Sequence, residues 1–208
     1  MSTNKSIAKS AGLIGLATSL SRVLGFIRDI VIARFFGTAL YAQAFVVAFR
    51  IPNLLRDLIG EGATNAAFVP VFTEEITKKG KEEFFRLVQV ILNLMFFVLL
   101  ALTAAGIWAS PFIVRLIAPG FLQDPEKFRL TVTLTRALFP FLFLVGLWAY
   151  AMGVLNSLNH FSAPAFGPCI LNAAMITCAV WFGENVFGLA AGVLIGGALQ
   201  LLIQFAPL

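Results

Sequence analysis

Residues 87–109, LVQVILNLMFFVLLALTAAGIWA, run without a charged side chain. A helix needs about 20 apolar residues to cross a bilayer, and this stretch is long enough. Two more uncharged blocks follow at 161–183 and 185–208, separated only by Glu184 in a GEN turn. A fourth, 131–158, is interrupted only by Arg136. Inside lipid every backbone polar group must be satisfied, which leaves helices or closed barrels. Barrel strands alternate apolar and polar residues; these blocks do not, so helices are predicted. The mean hydropathy of +0.93 carries the same reading over the whole chain. The expectation is an all-α integral membrane protein, a six-transmembrane-helix bundle forming a single lobe over 1–208. Its spans are predicted at 10–35, 40–75, 84–109, 130–158, 162–182 and 186–207.

Charge places the connections. Lys78 and the KGKEE run at 79–83 mark the clearest loop, cytoplasmic under the positive-inside tendency, as are Lys5 and Lys9. Counting spans from there puts both termini in the cytoplasm. The 110–127 connection then lies outside, its SPFIVRLIAPGF portion expected as a short interfacial segment framed by prolines. NSLNHFS (156–162) is the next inside turn, and His160, the only histidine, is read as a loop residue there. Lys5 and Lys9 before AGLIGLATSL resemble the start of a signal peptide, but the apolar pattern continues past Arg22.

Several function classes find no support. There is no metal-ligand spacing, no nucleophile elbow and no phosphate-cradling loop after a strand, so neither an enzyme nor a cofactor is expected. The net charge of +5 is assigned to loops, anionic membrane lipids or a buried anion site rather than to nucleic acid. Cys169 and Cys178 are about 13 Å apart along one helix, too far to bridge. Gly188, Gly192 and Gly196 repeat every four residues. They form a smooth stripe, either for packing within the bundle or for docking a partner lobe.

The first two spans are the exception to apolarity. They hold Arg22, Arg28, Asp29, Arg34, Arg50, Arg56, Asp57 and Glu61, with RIPNLLRDLIGE at 50–61 the densest part. Each such charge costs at least a few kcal/mol in a membrane unless solvated or paired, which makes it a functional candidate. On a helix Arg22 and Asp29 share a face, as do Arg50, Asp57 and Glu61. Asp29 is a candidate counter-ion for Arg22. Five arginines face three acids, so pairing leaves two positive charges. An arginine excess in a wet cavity suits an anion, and the planar guanidinium suits phosphate. Pro52, Gly60 and Gly62 are expected to break the second span beside that cavity. Residue types and spacing alone leave open both an anion cavity and a set of structural ion pairs.

SRVLGFIRDIVIARFFG (21–37) and QAFVVAFRIPNLLRDLIGEGATNAAFVPVF (43–72) resemble the opening of the MurJ/MviN family. APGF (118–121), FPFLF (139–143) and LNSLNHFSAPAFGPCILN (155–172) resemble the same family in the same order. The resemblance implies one lobe of a transporter of the multidrug/oligosaccharidyl-lipid/polysaccharide exporter superfamily. It implies a lipid II flippase of the bacterial inner membrane, moving an undecaprenyl-pyrophosphate-linked cell-wall precursor outward by alternating access. It carries the family's cavity arginines onto Arg22, Arg28 and Arg56 as substrate-binding residues. The family's acidic partner on the second helix falls on Glu61; Asp29 and Asp57, marked by charge and helical position, are the other expected charge partners or gating groups. Two departures stand out. Gln43 occupies a position where many members have aspartate. The chain also matches only an N-terminal lobe, so a C-terminal lobe is the implied partner beside lipid II. A drug or small-cation exporter of the same superfamily would show surplus acid rather than base. A non-transporting membrane scaffold is the alternative from another class.

Overall fold

The computed structural model describes the backbone of residues 2–37, 40–57 and 64–205, and the side chains of 12–37, 40–54 and 68–205. Every regular element among them is helical. The order is α1 (Ser2–Phe36), α2 (Leu40–Asp57), α3 (Thr64–Lys79), α4 (Lys81–Ile117), α5 (Pro125–Leu138), α6 (Pro140–Ser157), α7 (Ser162–Phe182) and α8 (Val186–Leu202). Short 3-10 turns occupy Pro119–Gln123 and Ile203–Phe205.

Four described segments are long and apolar enough to cross a membrane: Lys81–Ile117, Pro125–Ser157, Ser162–Phe182 and Val186–Phe205. The second joins α5 and α6. Phe139 between them keeps helical dihedrals (φ −57, ψ −35), and Pro140 opens α6 at a position where a missing N–H costs little. α1 is longer than a bilayer requires, but it carries Arg22, Arg28, Asp29 and Arg34 within its length.

Within 40–75 the described residues form α2 and α3, and the break expected at Gly60 and Gly62 lies outside them. Two sequence expectations differ from the structure. Pro52 does not break α2, which runs through it. Proline removes one ladder bond, and here its ring is buried, so packing offsets that loss. Residues 110–117 of the segment expected to lie separately at the interface are the last part of α4, which continues through Pro111 to Ile117. Buried Ser110 and Val114 hold that end of the helix inside the protein. Ser110 Oγ also donates to the Gly106 carbonyl at 2.8 Å. The helix stops only at Ala118, where Pro119 disfavours helical geometry in the preceding residue.

α6 is the centre of the bundle. Phe141, Val145 and Trp148 pack with Leu134 and Leu138 of α5, Met175 of α7, Leu189 and Val193 of α8, and Phe45 and Ala48 of α2. A second cluster joins α3, α4 and α6 through Phe72, Phe84, Tyr150 and Val154. Tyr150 sits edge-on to Phe68 and Phe72. Its buried hydroxyl donates to the Val88 carbonyl at 2.6 Å, satisfying a group that would otherwise be stranded. Gly80 at φ 86 makes the tight α3–α4 turn, a backbone state that favours glycine.

The glycine stripe of α8 is internal. A Cβ on Gly192 would stand 2.9 Å from Cys178 Cβ and 3.1 Å from Met175 Cα. One on Gly196 would stand 2.9 Å from Leu171 Cδ1 and 3.0 Å from its Cα. The missing side chains let α7 and α8 approach closely, and this is the most extensive helix pairing in the fold. Cys169 and Cys178 are both free thiols, buried in α7.

Candidate anion-binding cavity

α1 lies along α7 and touches α2 only slightly, whereas α2 packs on α5. The first two helices therefore diverge. A cavity of about 590 Å³ lies between them, open on one side. α1 contributes Arg28, Asp29, Ile32 and Ala33 to its wall; α2 contributes Phe45, Val46, Phe49, Arg50 and Asn53; Met175 of α7 is also part of the lining. The wall is largely apolar, with one carboxylate, one amide and two guanidiniums set into it.

Arg28 is the best-held of these charges. Its Nε and Nη2 donate to Asp29 Oδ1 at 3.0 and 2.8 Å. Its Nη1 donates to Asn172 Oδ1 at 2.9 Å, from α1 across to α7. A guanidinium has five N–H donors. Three are engaged, so one N–H on each of Nη1 and Nη2 is uncommitted. The Arg28 side chain is 24% exposed and that of Asp29 66%, so the pair sits half in the protein and half toward the cavity.

This pairing corrects the expected one. A shared helical face pointed to Arg22 as the partner of Asp29. Those residues are separated by two turns, about 10 Å of rise, beyond the reach of a short carboxylate. Adjacent positions on a helix do not face each other, but the long arm of Arg28 curls round to its neighbour. Arg22 is exposed on α1, outside the cavity lining, with no hydrogen-bond or ion-pair partner among the described residues.

Arg50 is exposed into the cavity and likewise has no such partner among the described residues. The cavity thus brings together Arg28, Asp29 and Arg50, leaving a cationic excess among its described side chains. Arg56 and Asp57 fall on the last turn of α2, and their side chains, together with Glu61 entirely, lie outside the described residues. Gln43 accepts a hydrogen bond from Lys127 Nζ, which also stands 4.0 Å from the centre of the Phe121 ring. That contact ties α2 to α5 and to the 3-10 turn before it. His160 is an exposed turn residue whose Nδ1 lies 3.1 Å from the Leu158 carbonyl.

Two lining or supporting residues had no assigned role in the predicted site. Arg50 was a candidate only by its charge in mid-span. Asn172 carried a weaker signal, a lone amide in an otherwise apolar helix.

The fold defines a multi-pass helical membrane protein with a charged cavity between its first two helices. The family described as lipid II flippase MurJ matches residues 32–208. The probable lipid II flippase MurJ of Buchnera aphidicola subsp. Acyrthosiphon pisum is 42% identical over 195 residues, covering 92% of this chain and 38% of that protein. The lipid II flippase MurJ of Burkholderia cenocepacia gives the same identity and the same coverage. A solved structure titled lipid II flippase MurJ, inward closed conformation, superposes with a TM-score of 0.79 at 29% identity, over 93% of this chain and 41% of that one. The chain belongs to the MurJ family. It spans about two fifths of the length of these relatives.

Proposed function

We propose that this chain supplies the N-terminal lobe of a lipid II flippase, and that the α1–α2 cavity receives the pyrophosphate end of the lipid-linked precursor. The observation that carries the reading is the state of Arg28, anchored on two sides with two N–H donors still uncommitted at a cavity wall. A pyrophosphate entering an apolar cavity loses its water. Charge-assisted bonds from a planar fork replace that hydration. Arg50 faces the same space from α2 and adds a second positive charge. Asp29 keeps the empty cavity from carrying two bare cations. Arg22 and Arg56 are proposed to contact the head group farther along the same path, with Asp57 and Glu61 as their charge partners or gating groups.

The apolar lining, Phe45, Val46 and Phe49 above all, suits the start of a polyprenyl chain. In this reading the protein is a transporter without a covalent step. It lies in the bacterial inner membrane with both termini cytoplasmic and works against a C-terminal lobe. The charged α3–α4 turn, with Lys78, Lys79 and Lys81, faces the cytoplasm.

The test is binding of lipid II to the purified chain in detergent, with undecaprenol as a control lacking the pyrophosphate. Saturable binding that falls in Arg28→Ala, and no binding of undecaprenol, supports the reading. Equal binding by Arg28→Ala and the wild type would refute the assignment of the head group to this cavity.

A further inference from the structure

We infer that Asn172 is the positioning residue for Arg28, aiming its free N–H donors into the cavity; this rests on the anion-binding reading above. Asn172 is 7% exposed and is the one amide in α7; Cys169, three residues earlier on the same helix, also bonds to α1, its Sγ donating to the Ala17 carbonyl at 3.3 Å. Its Oδ1 accepts from Arg28 Nη1 at 2.9 Å, and its Nδ2 donates to the Ser21 carbonyl at 3.1 Å. The amide orientation follows from chemistry. A guanidinium only donates and a carbonyl only accepts, so one arrangement of Oδ1 and Nδ2 satisfies both. Ser21, Gly25 and Arg28 fall at i, i+4 and i+7 on α1, one stripe facing α7. A Cβ on Gly25 would stand 3.6 Å from Asn172 Nδ2, an ordinary contact, so the amide lies directly against this stripe.

The consequence concerns direction rather than charge. Asp29 alone holds the guanidinium by one edge, through Nε and Nη2 to a single oxygen. A side chain held by one edge can swing about that oxygen. The bond to Asn172, 144 residues away in sequence, adds a second fixed point on a different helix. These two fixed points, with the side chain's own attachment at Cδ as a third, set the plane of the fork and leave one donor on each terminal nitrogen for a phosphate group. An aspartate at 172 could accept from Arg28 but could not donate to the Ser21 carbonyl, and its charge would offset the cationic excess.

The experiment is a double-mutant cycle on the full 208-residue chain in detergent, with lipid II as the probe. Asn172→Leu is expected to weaken binding about tenfold, the size of one charge-assisted hydrogen bond. In the Arg28→Ala background the same substitution is expected to change nothing further. Additive losses would mean that Asn172 acts on the packing of α7 and not through Arg28, and would overturn the inference. Asn172→Ala replaces the leucine variant if that one does not fold. A second readout needs no lipid: modification of Arg28 by an arginine-selective dicarbonyl, followed by mass spectrometry. Its rate is expected to rise in Asn172→Leu as the guanidinium loses one anchor. An unchanged rate overturns the inference. If the wild-type chain binds no lipid II, the head-group reading fails, and the modification rate alone decides whether Asn172 positions Arg28.

Discussion

Arg28→Lys keeps the charge and removes the fork. In the wild type three of five donors hold the guanidinium to Asp29 and Asn172, and two remain. A lysine ammonium has three donors in all. Meeting Asp29 and Asn172 once each uses two of them and leaves one for a phosphate oxygen. The variant therefore loses one charge-assisted hydrogen bond to the ligand, worth about 1.5–3 kcal/mol. That corresponds to a Kd raised roughly 10- to 150-fold. Arg28→Ala, which also removes the charge and leaves Asp29 alone at the wall, should bind more weakly still. The assay is equilibrium binding of lipid II in detergent at two ionic strengths. Added salt should narrow the gap between lysine and alanine, which is Coulombic, more than the gap between arginine and lysine, which is geometric. Equal affinity of the wild type and the Arg28→Lys variant would refute the argument, since it would leave the arginine contributing charge alone.

Other expectations concern the scaffold. Gly196→Ala drives a Cβ to within 3.0 Å of the Leu171 backbone and should destabilise the chain by about 1–3 kcal/mol, read as a lower melting temperature in detergent. Gly15→Ala meets nothing within 4 Å and should be neutral or stabilising, up to about 1 kcal/mol from helix propensity. Tyr150→Phe loses the bond to the Val88 carbonyl and should cost about 0.5–1.5 kcal/mol in the same measurement. Gln43→Asp should turn the contact with Lys127 into an ion pair at an exposed site, with a gain below about 1 kcal/mol that salt removes. The buried thiols Cys169 and Cys178 should resist maleimide until the chain unfolds, and in Gly192→Leu Cys178 should label first, because it lies against that glycine.

The glycine stripe shows where sequence reading ran out. Its spacing announced a smooth helical face but not what covers it, because small residues serve internal and external contacts equally well. The α4 end is a second case. Prolines at 111 and 119 looked alike in sequence. Only the first is absorbed into a helix, because packing around Ser110 and Val114 outweighs one missing backbone bond.

What the sequence determined by itself is whatever depends on local composition. Long uncharged runs require helices in a membrane, since the backbone must satisfy itself there and these runs lack the alternation of a barrel strand. Charges inside the first two predicted spans had to be solvated or paired, which made all eight of them candidates, and the family resemblance then pointed to Arg22, Arg28 and Arg56. The resemblance of 21–72 to the MurJ/MviN family was legible for the same reason, being carried by contiguous residues. The tertiary structure decided the partnerships. Asp29 answers Arg28 and not Arg22, because side-chain reach rather than helical face sets contact. Asn172 joins the site because the α1–α7 packing brings it to Arg28 from far along the chain. A hydrogen bond between distant residues leaves no periodic trace in either segment, so only the fold could reveal it.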